Sequence, residues 1–197
     1  MARRFLDFIG IIYLDKMTSI YEPAEDSYFF EEFLKKLFFS KKDKNISYLD
    51  MGTGSGILGK VGAKLLGEGN VTVVDLNEDA VEKCKKEGLN AVCSDLFSNV
   101  EGKFDLITFN APYLPEDSRE PEDSRFATTG GKRGDEIVVE FLRQARDHLK
   151  KDGEIYVLIS SLTPRGRIDK FGAEIVARKK IFQEELLVLE FRVSSPR

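Results

Sequence analysis

The sequence predicts an α/β domain: a mostly parallel, seven-stranded sheet with helices on both faces and an antiparallel hairpin at its C-terminal end. Three observations predict it. Short β-type runs alternate with stretches of helical spacing, a glycine-rich turn joins the first such run to a helix, and two β-type runs with no helix between them close the chain. At 197 residues, the chain suits one domain that buries roughly 70% of its unfolded surface.

The elements follow in order. Ser27 to Phe39 carries apolar residues at Tyr28, Phe29, Phe33, Leu34 and Leu37, with Glu31, Glu32, Lys35 and Lys36 between them. That is the spacing of an amphipathic helix. A charged turn, Ser40 to Asn45, leads to a β-type run, Ile46 to Asp50. Glycines follow at once, and a helix from Ile57 to Leu66 completes a strand–loop–helix unit. Val71 to Val74 is a second strand ending at Asp75. Asn77 caps the next helix, which runs to Lys86 and stops at Gly88. Ala91 to Cys93 and Phe104 to Phe109 are the third and fourth strands.

A polar loop then extends from Leu114 to Gly134, about 20 residues, a length uncommon inside a compact domain and often functional. It contains a short repeat, Glu116-Asp117-Ser118-Arg119 and Glu122-Asp123-Ser124-Arg125. A helix from Asp135 to Lys150 and a strand from Glu154 to Ser160 come next. Glu174 to Ile181 and Glu185 to Val193 form the antiparallel pair. Right-handed crossovers put a ligand at the carboxyl ends of the parallel strands, near the point where strand order reverses.

Composition narrows the partners. Hydrophobic residues make up 42% and charged residues 32% of the chain, as in a globular protein, and the net charge is −4. An acidic balance argues against holding duplex nucleic acid by its backbone, so no stable DNA binding is expected. Cys84 and Cys93 are too few and too far apart for a zinc site or a disulfide framework, which predicts no resident metal and a reducing, cytoplasmic setting. No apolar run approaches the ~18 residues of a membrane span. Met1 to Leu14 has two arginines and an apolar stretch, but Asp7 interrupts it and no small-residue cleavage site follows. Residues 1–20 read as an N-terminal extension in which Met17 offers an alternative start. The lone His148, late in a helix and far from every motif, reads as structural.

Two loops carry the chemistry. Asp50-Met51-Gly52-Thr53-Gly54-Ser55-Gly56 lies where the first strand meets its helix. Gly54-x-Gly56-x-x-Gly59, with Asp75 about 20 residues on, also satisfies the dinucleotide fingerprint, so an NAD-binding dehydrogenase is one rival. Against it, Asp50 stands where it suits an ammonium group, and Asp95, ending the third strand, suits an adenine amine. The D-x-G-x-G-x-G pattern resembles motif I of class I methyltransferases, with Asp75 matching the ribose-binding acid. Asn110-Ala111-Pro112-Tyr113 follows the fourth strand and resembles the N/D-P-P-Y/F motif of methyltransferases acting on planar nitrogens, with Ala in place of the first Pro. Such a nitrogen is a poor nucleophile because its lone pair is delocalised. Acceptors for its N–H groups, the Asn110 side chain and the Ala111 carbonyl, would hold it in line, and orientation of this kind is a large lever on rate.

Tyr21-Glu22-Pro23-Ala24-Glu25-Asp26-Ser27 resembles the N-terminal signature of the archaeal and eukaryotic HemK-like glutamine methyltransferases, which modify the Gly-Gly-Gln loop of class I translation release factors. Gly130-Gly131-x-x-Gly134 and Phe182 to Phe191 resemble further segments of that family. The resemblance implies a Rossmann-like class I methyltransferase fold and S-adenosylmethionine as cofactor. It implies that Ser27, Asp50, Gly52, Gly54, Gly56, Asp75, Asp95, Leu96 and Asn110 bind that cofactor, and that Asn110, Ala111, Pro112 and Tyr113 form the catalytic set. By the same token the substrate is a class I release factor, and a small zinc-containing activator subunit lies along the third-strand edge, Asn90 to Cys93. The nearest alternative is a methyltransferase for an exocyclic amine of an RNA base, less readily of a DNA base. A catalytically silent cofactor-binding scaffold is the other.

Overall fold

A computed structural model describes residues 20–116, 128–182 and 184–192. In chain order the elements are α1 (Glu25–Ser40), β1 (Tyr48–Met51), α2 (Ile57–Leu66), β2 (Val71–Asp75), α3 (Glu78–Lys86), β3 (Asn90–Cys93), β4 (Phe104–Asn110), α4 (Glu136–Ala145), β5 (Leu149–Ser160), β6 (Glu174–Ile181) and β7 (Glu184–Arg192). They build a seven-stranded sheet in the order β3-β2-β1-β4-β5-β7-β6. The first five strands run parallel, and β7 inserts antiparallel between β5 and β6. β1 lies between β2 and β4, so strand order reverses there, and the crevice that forms at such a reversal opens beyond Met51 and Asn110.

The inner parallel strands are buried on both faces, and alternate residues feed two cores. Tyr48, Val73, Leu106, Tyr156 and Leu158 face α1, α2 and α3; Phe30, Leu34 and Phe38, spaced four apart on α1, are wholly buried among them. Leu49, Met51, Val74, Ile107 and Val157 face the other way, toward Val138, Phe141 and Leu142 of α4. Asn77 accepts a hydrogen bond from the Asp79 N–H at 2.9 Å to start α3.

Four boundaries differ from the sequence expectation by two residues or more. α1 begins at Glu25, two residues before Ser27, and β1 begins at Tyr48 rather than Ile46. The helix expected to reach Lys150 ends at Ala145; a 3₁₀ turn, Arg146–His148, follows, and β5 starts at Leu149 rather than Glu154. Between Phe104↔Leu149 and Leu106↔Glu154, two positions on β4 stand opposite five on β5. Asp152 takes up the excess with φ 63°, a left-handed backbone that no periodicity signals.

Of the long polar loop, residues 117–127 and most of its internal repeat lie outside the described residues, as do positions 1–19, 183 and 193–197. The two flanks are tied together. Tyr113 and Leu114 donate their N–H groups to the Thr128 carbonyl at 3.0 and 2.8 Å, Gly130 donates to Leu114 at 2.9 Å, and Leu114 and Thr129 form a parallel bridge.

Candidate active site

The turn after β1 carries three left-handed glycines, Gly52 (φ 62°), Gly54 (φ 52°) and Gly56 (φ 80°), and it bends too tightly for side chains. A Cβ on Gly52 would sit 2.8 Å from the Phe109 ring, so this glycine also lets the turn lie against the end of β4. Beneath the turn, Asp50 is completely buried. Its Oδ2 accepts from Thr53 Oγ1 at 2.7 Å and from the Gly59 N–H at 3.1 Å, and its Oδ1 accepts from Thr108 Oγ1 at 3.2 Å. Thr108 lies opposite Asp50 in the β1–β4 register and also bonds the buried Tyr48 hydroxyl at 2.7 Å. Burial raises the Asp50 carboxyl to about 7 against the opposing pull of these hydrogen bonds. In this geometry Asp50 braces the turn from below. No motif in the sequence marks Tyr48 and Thr108. The signal for them is period-2 alternation, which puts Tyr48 and Asp50 on one face and asks for a donor on the neighbouring strand.

Asp75 closes the turn from the side. Its Oδ2 accepts from the Gly54 N–H at 2.7 Å and its Oδ1 from the Asn77 N–H at 2.9 Å. Burial pushes its carboxyl above the usual value, opposed by these backbone donors. Four acceptor positions on an ionised carboxylate leave capacity for a ligand hydroxyl. The Asp75 carbonyl accepts from the Ser94 N–H at 2.9 Å, which sets Asp95 and Leu96 beside it at the ends of β2 and β3. Asp95 is exposed, and Leu96 has φ 46°, an uncommon backbone for leucine of the kind that clusters at ligand sites.

The third group gathers around Asp26, which is 8% exposed. Its carboxylate accepts from the Ser27 N–H at 2.6 Å, from Ser27 Oγ at 3.2 Å and from the Tyr21 hydroxyl at 3.1 Å. It also accepts from Asn110 Nδ2 at 3.3 Å. Burial, followed by the charge of Asp26, lifts both the Tyr21 and Tyr113 phenols well above their ordinary range. Tyr21 in turn lies 3.7 Å from the position of a Cβ on Gly54, which joins the N-terminal segment to the glycine turn. In the sequence Asp26 stands inside the N-terminal signature, just before the expected helix, and is not among the expected site residues. Its contact with Asn110, 84 positions away, is not visible there.

Asn110, Ala111, Pro112 and Tyr113 continue β4 into the crevice. Ala111 is buried in the core, and Thr163 Oγ1 donates to the Tyr113 carbonyl at 2.9 Å. A Cβ on Gly130 would meet the Pro112 carbonyl at 2.6 Å and one on Gly134 the Tyr113 carbonyl at 2.8 Å, so the Gly130–Gly134 segment packs backbone to backbone on this loop. Gly130 also offers its carbonyl to the Glu136 and Ile137 N–H groups and so starts α4. Asn110 Oδ1 is buried and has no hydrogen-bond partner among the described residues. His148 stacks on Phe97 at 4.5 Å, away from all of this.

The methyltransferase small domain family model matches residues 31–183, the stretch that carries the glycine turn, Asp75, Asp95 and Asn110. A protein of Methanocaldococcus jannaschii, provisionally named a protein N5-glutamine methyltransferase, is 42% identical over 184 residues and is covered over 90% of its length by 86% of this chain. The release factor glutamine methyltransferase of Streptococcus pneumoniae is 29% identical over 170 residues; 78% of this chain spans 58% of that enzyme. Among solved structures, the 16S rRNA N2 G1207 methyltransferase of T. thermophilus, in complex with AdoMet and guanosine, superposes with a TM-score of 0.62 at 19% identity, covering 89% of this chain and 45% of that one. This last likeness concerns the fold.

Proposed function

Because this chain belongs to the methyltransferase small domain family, we propose that it is an S-adenosylmethionine-dependent N-methyltransferase of the glutamine side-chain amide, acting on the Gly-Gly-Gln loop of a class I translation release factor. The observation that carries this reading is the lone acceptor, Asn110 Oδ1. A buried polar atom without a partner is costly. It stands at the carboxyl end of β4, where an incoming amide N–H would satisfy it. The 42% relative, named for the same chemistry, supports the choice of nitrogen.

The donor and acceptor set fits the cofactor. The left-handed glycines Gly52, Gly54 and Gly56 allow close approach of a ligand to backbone, Asp75 keeps acceptor capacity that would take the ribose hydroxyls, and Asp95 and Leu96 would hold the adenine. Ser27, at the first turn of α1, would hold the amino-acid end, and Asp50 would serve that end from beneath, by bracing the turn. When bound, S-adenosylmethionine supplies an electrophilic methyl group whose sulfur takes the electron pair of the broken bond. The chain's own part is orientation. Asn110 Oδ1 accepts one substrate N–H, the Ala111 carbonyl takes the other, and Pro112 and Tyr113 hold the planar amide between them. The nitrogen loses its proton once methylated, so no general base is needed.

Incubating the chain with labelled cofactor and a class I release factor, then mapping the label by mass spectrometry, tests the reading. Label on the Gln of the Gly-Gly-Gln loop, lost in Asn110→Ala, is the expected result. An unlabelled release factor alongside a labelled RNA would transfer the assignment to base exocyclic amines, whose N–H groups the same acceptor would take. The β3 edge is the proposed seat of a small zinc-containing activator: among the described residues β3 is the outermost strand, and an outermost strand offers one side of its backbone for pairing. Co-purification with that subunit, abolished by a proline at Val92, is the expected result.

A further inference from the structure

We propose that Asp26 is a positioning residue that sets which way round the Asn110 amide sits, so that the site offers an acceptor and not a donor to the substrate nitrogen. This rests on the reading above, in which the methylated group carries N–H. An amide side chain has two nearly isosteric orientations, and only its neighbours choose between them. An ionised carboxylate accepts and never donates, so Oδ2 of Asp26 at 3.3 Å selects the NH₂ end of Asn110. The opposite orientation would set two oxygens against each other at that distance. Oδ1 is thereby turned to the other side, where it is buried and without a partner among the described residues.

Asp26 is itself held for this task. The Ser27 N–H and the Ser27 and Tyr21 hydroxyls all donate to it, so its own carboxylate is ordered before any substrate arrives. The second neighbour of Asn110 Nδ2, Ser27 Oγ at 3.5 Å, spends its one hydrogen on Asp26 Oδ1 and can only accept from Asn110, so it favours the same orientation. The choice of orientation therefore lies with Asp26, directly and through the hydroxyl it holds.

Asp26→Asn tests this. The new side chain keeps an oxygen for the Ser27 N–H and presents an NH₂ group to Asn110. Asn110 then turns its own oxygen inward and its NH₂ toward the substrate. Methyl transfer to a Gly-Gly-Gln peptide is expected to fall about tenfold to a hundredfold in kcat, with the Kd for S-adenosylmethionine unchanged. The paired variant Asp26→Asn with Asn110→Asp restores the pattern, because the new amide donates to the new carboxylate, whose other oxygen faces the substrate. It should transfer faster than either single variant, a coupling that mere loss of structure does not produce. Wild-type kcat in Asp26→Asn, or losses that multiply in the pair, would overturn the inference.

The orientation is also readable without turnover. In ¹⁵N-labelled protein the Asn110 NH₂ resonance should carry the downfield shift of a carboxylate-bonded proton and lose it in Asp26→Asn; an unmoved resonance overturns the inference. If the wild-type chain methylates no N–H substrate, the functional reading fails, while this spectrum still decides what Asp26 does.

Discussion

Asp75 spends both carboxylate oxygens on backbone N–H groups, and through Gly54 it sets the shape of the turn it would share with a ligand. Asp75→Ala removes charge-assisted hydrogen bonds worth about 1.5–3 kcal/mol. Calorimetry should then find S-adenosylmethionine binding weakened roughly tenfold to a hundredfold. Asp50 makes a different prediction. Burial holds its folded-state carboxyl at about 7, whereas the unfolded chain releases that proton near pH 4. Between those values the folded protein keeps a proton the unfolded chain has lost, so its stability falls as pH rises through the window. Asp50→Asn does not titrate. Urea unfolding at a series of pH values should show the wild type losing stability relative to this variant from about pH 4 to 7 and no further above that range.

At the scale of elements, α2 lies close to the sheet because two of its residues have no side chain. A Cβ on Gly59 would come 2.3 Å from Val73 Cγ1, and one on Gly62 would come 2.5 Å from the Tyr48 ring. Gly62→Ala should lower stability by about 1–3 kcal/mol in thermal unfolding, although alanine is the better helix former, because the helix must be pushed off the sheet. The elements most legible in the sequence are of this kind. Glycines and apolar spacing bound α2 correctly, a β-branched run marks β2, and Asn77 and Gly88 bracket α3. The start of β5 is not legible, because Lys150-Lys151-Asp152-Gly153 is polar, has no period, and forms the bulge between the Phe104↔Leu149 and Leu106↔Glu154 pairs with β4. The site divides in the same way. The glycine turn, Asp75 and Asn110 announce themselves in local motifs. Thr108 above Asp50 and Asp26 beside Asn110 are contacts between segments far apart in the chain, so only the folded arrangement reveals them.

Across the whole molecule, the sheet separates two cores, and the one facing α4 reaches the site. Phe141 is wholly buried and packs its ring 4.8 Å from Phe109 and 5.6 Å from Phe97. Phe109 in turn limits the turn at Gly52 and precedes Asn110. Phe141→Ala should cost about 3–5 kcal/mol, with far-UV circular dichroism and tyrosine fluorescence following one urea transition. A fall in cofactor affinity should accompany it, since the ring that steadies Phe109 is gone. No described helix is long and apolar enough to cross a membrane.

The stitching of Tyr113 and Leu114 to Thr128 and Gly130 has a consequence for how such a protein changes over time. The chain leaves this frame at Glu116 and returns at Thr128, with the points of departure and return already locked side by side. The frame beside Asn110 is therefore closed by its own flanks, through hydrogen bonds that run between positions 113–114 and 128–130 and need nothing from the stretch between them. Changes of sequence confined to residues 117–127 leave those bonds their donors and acceptors.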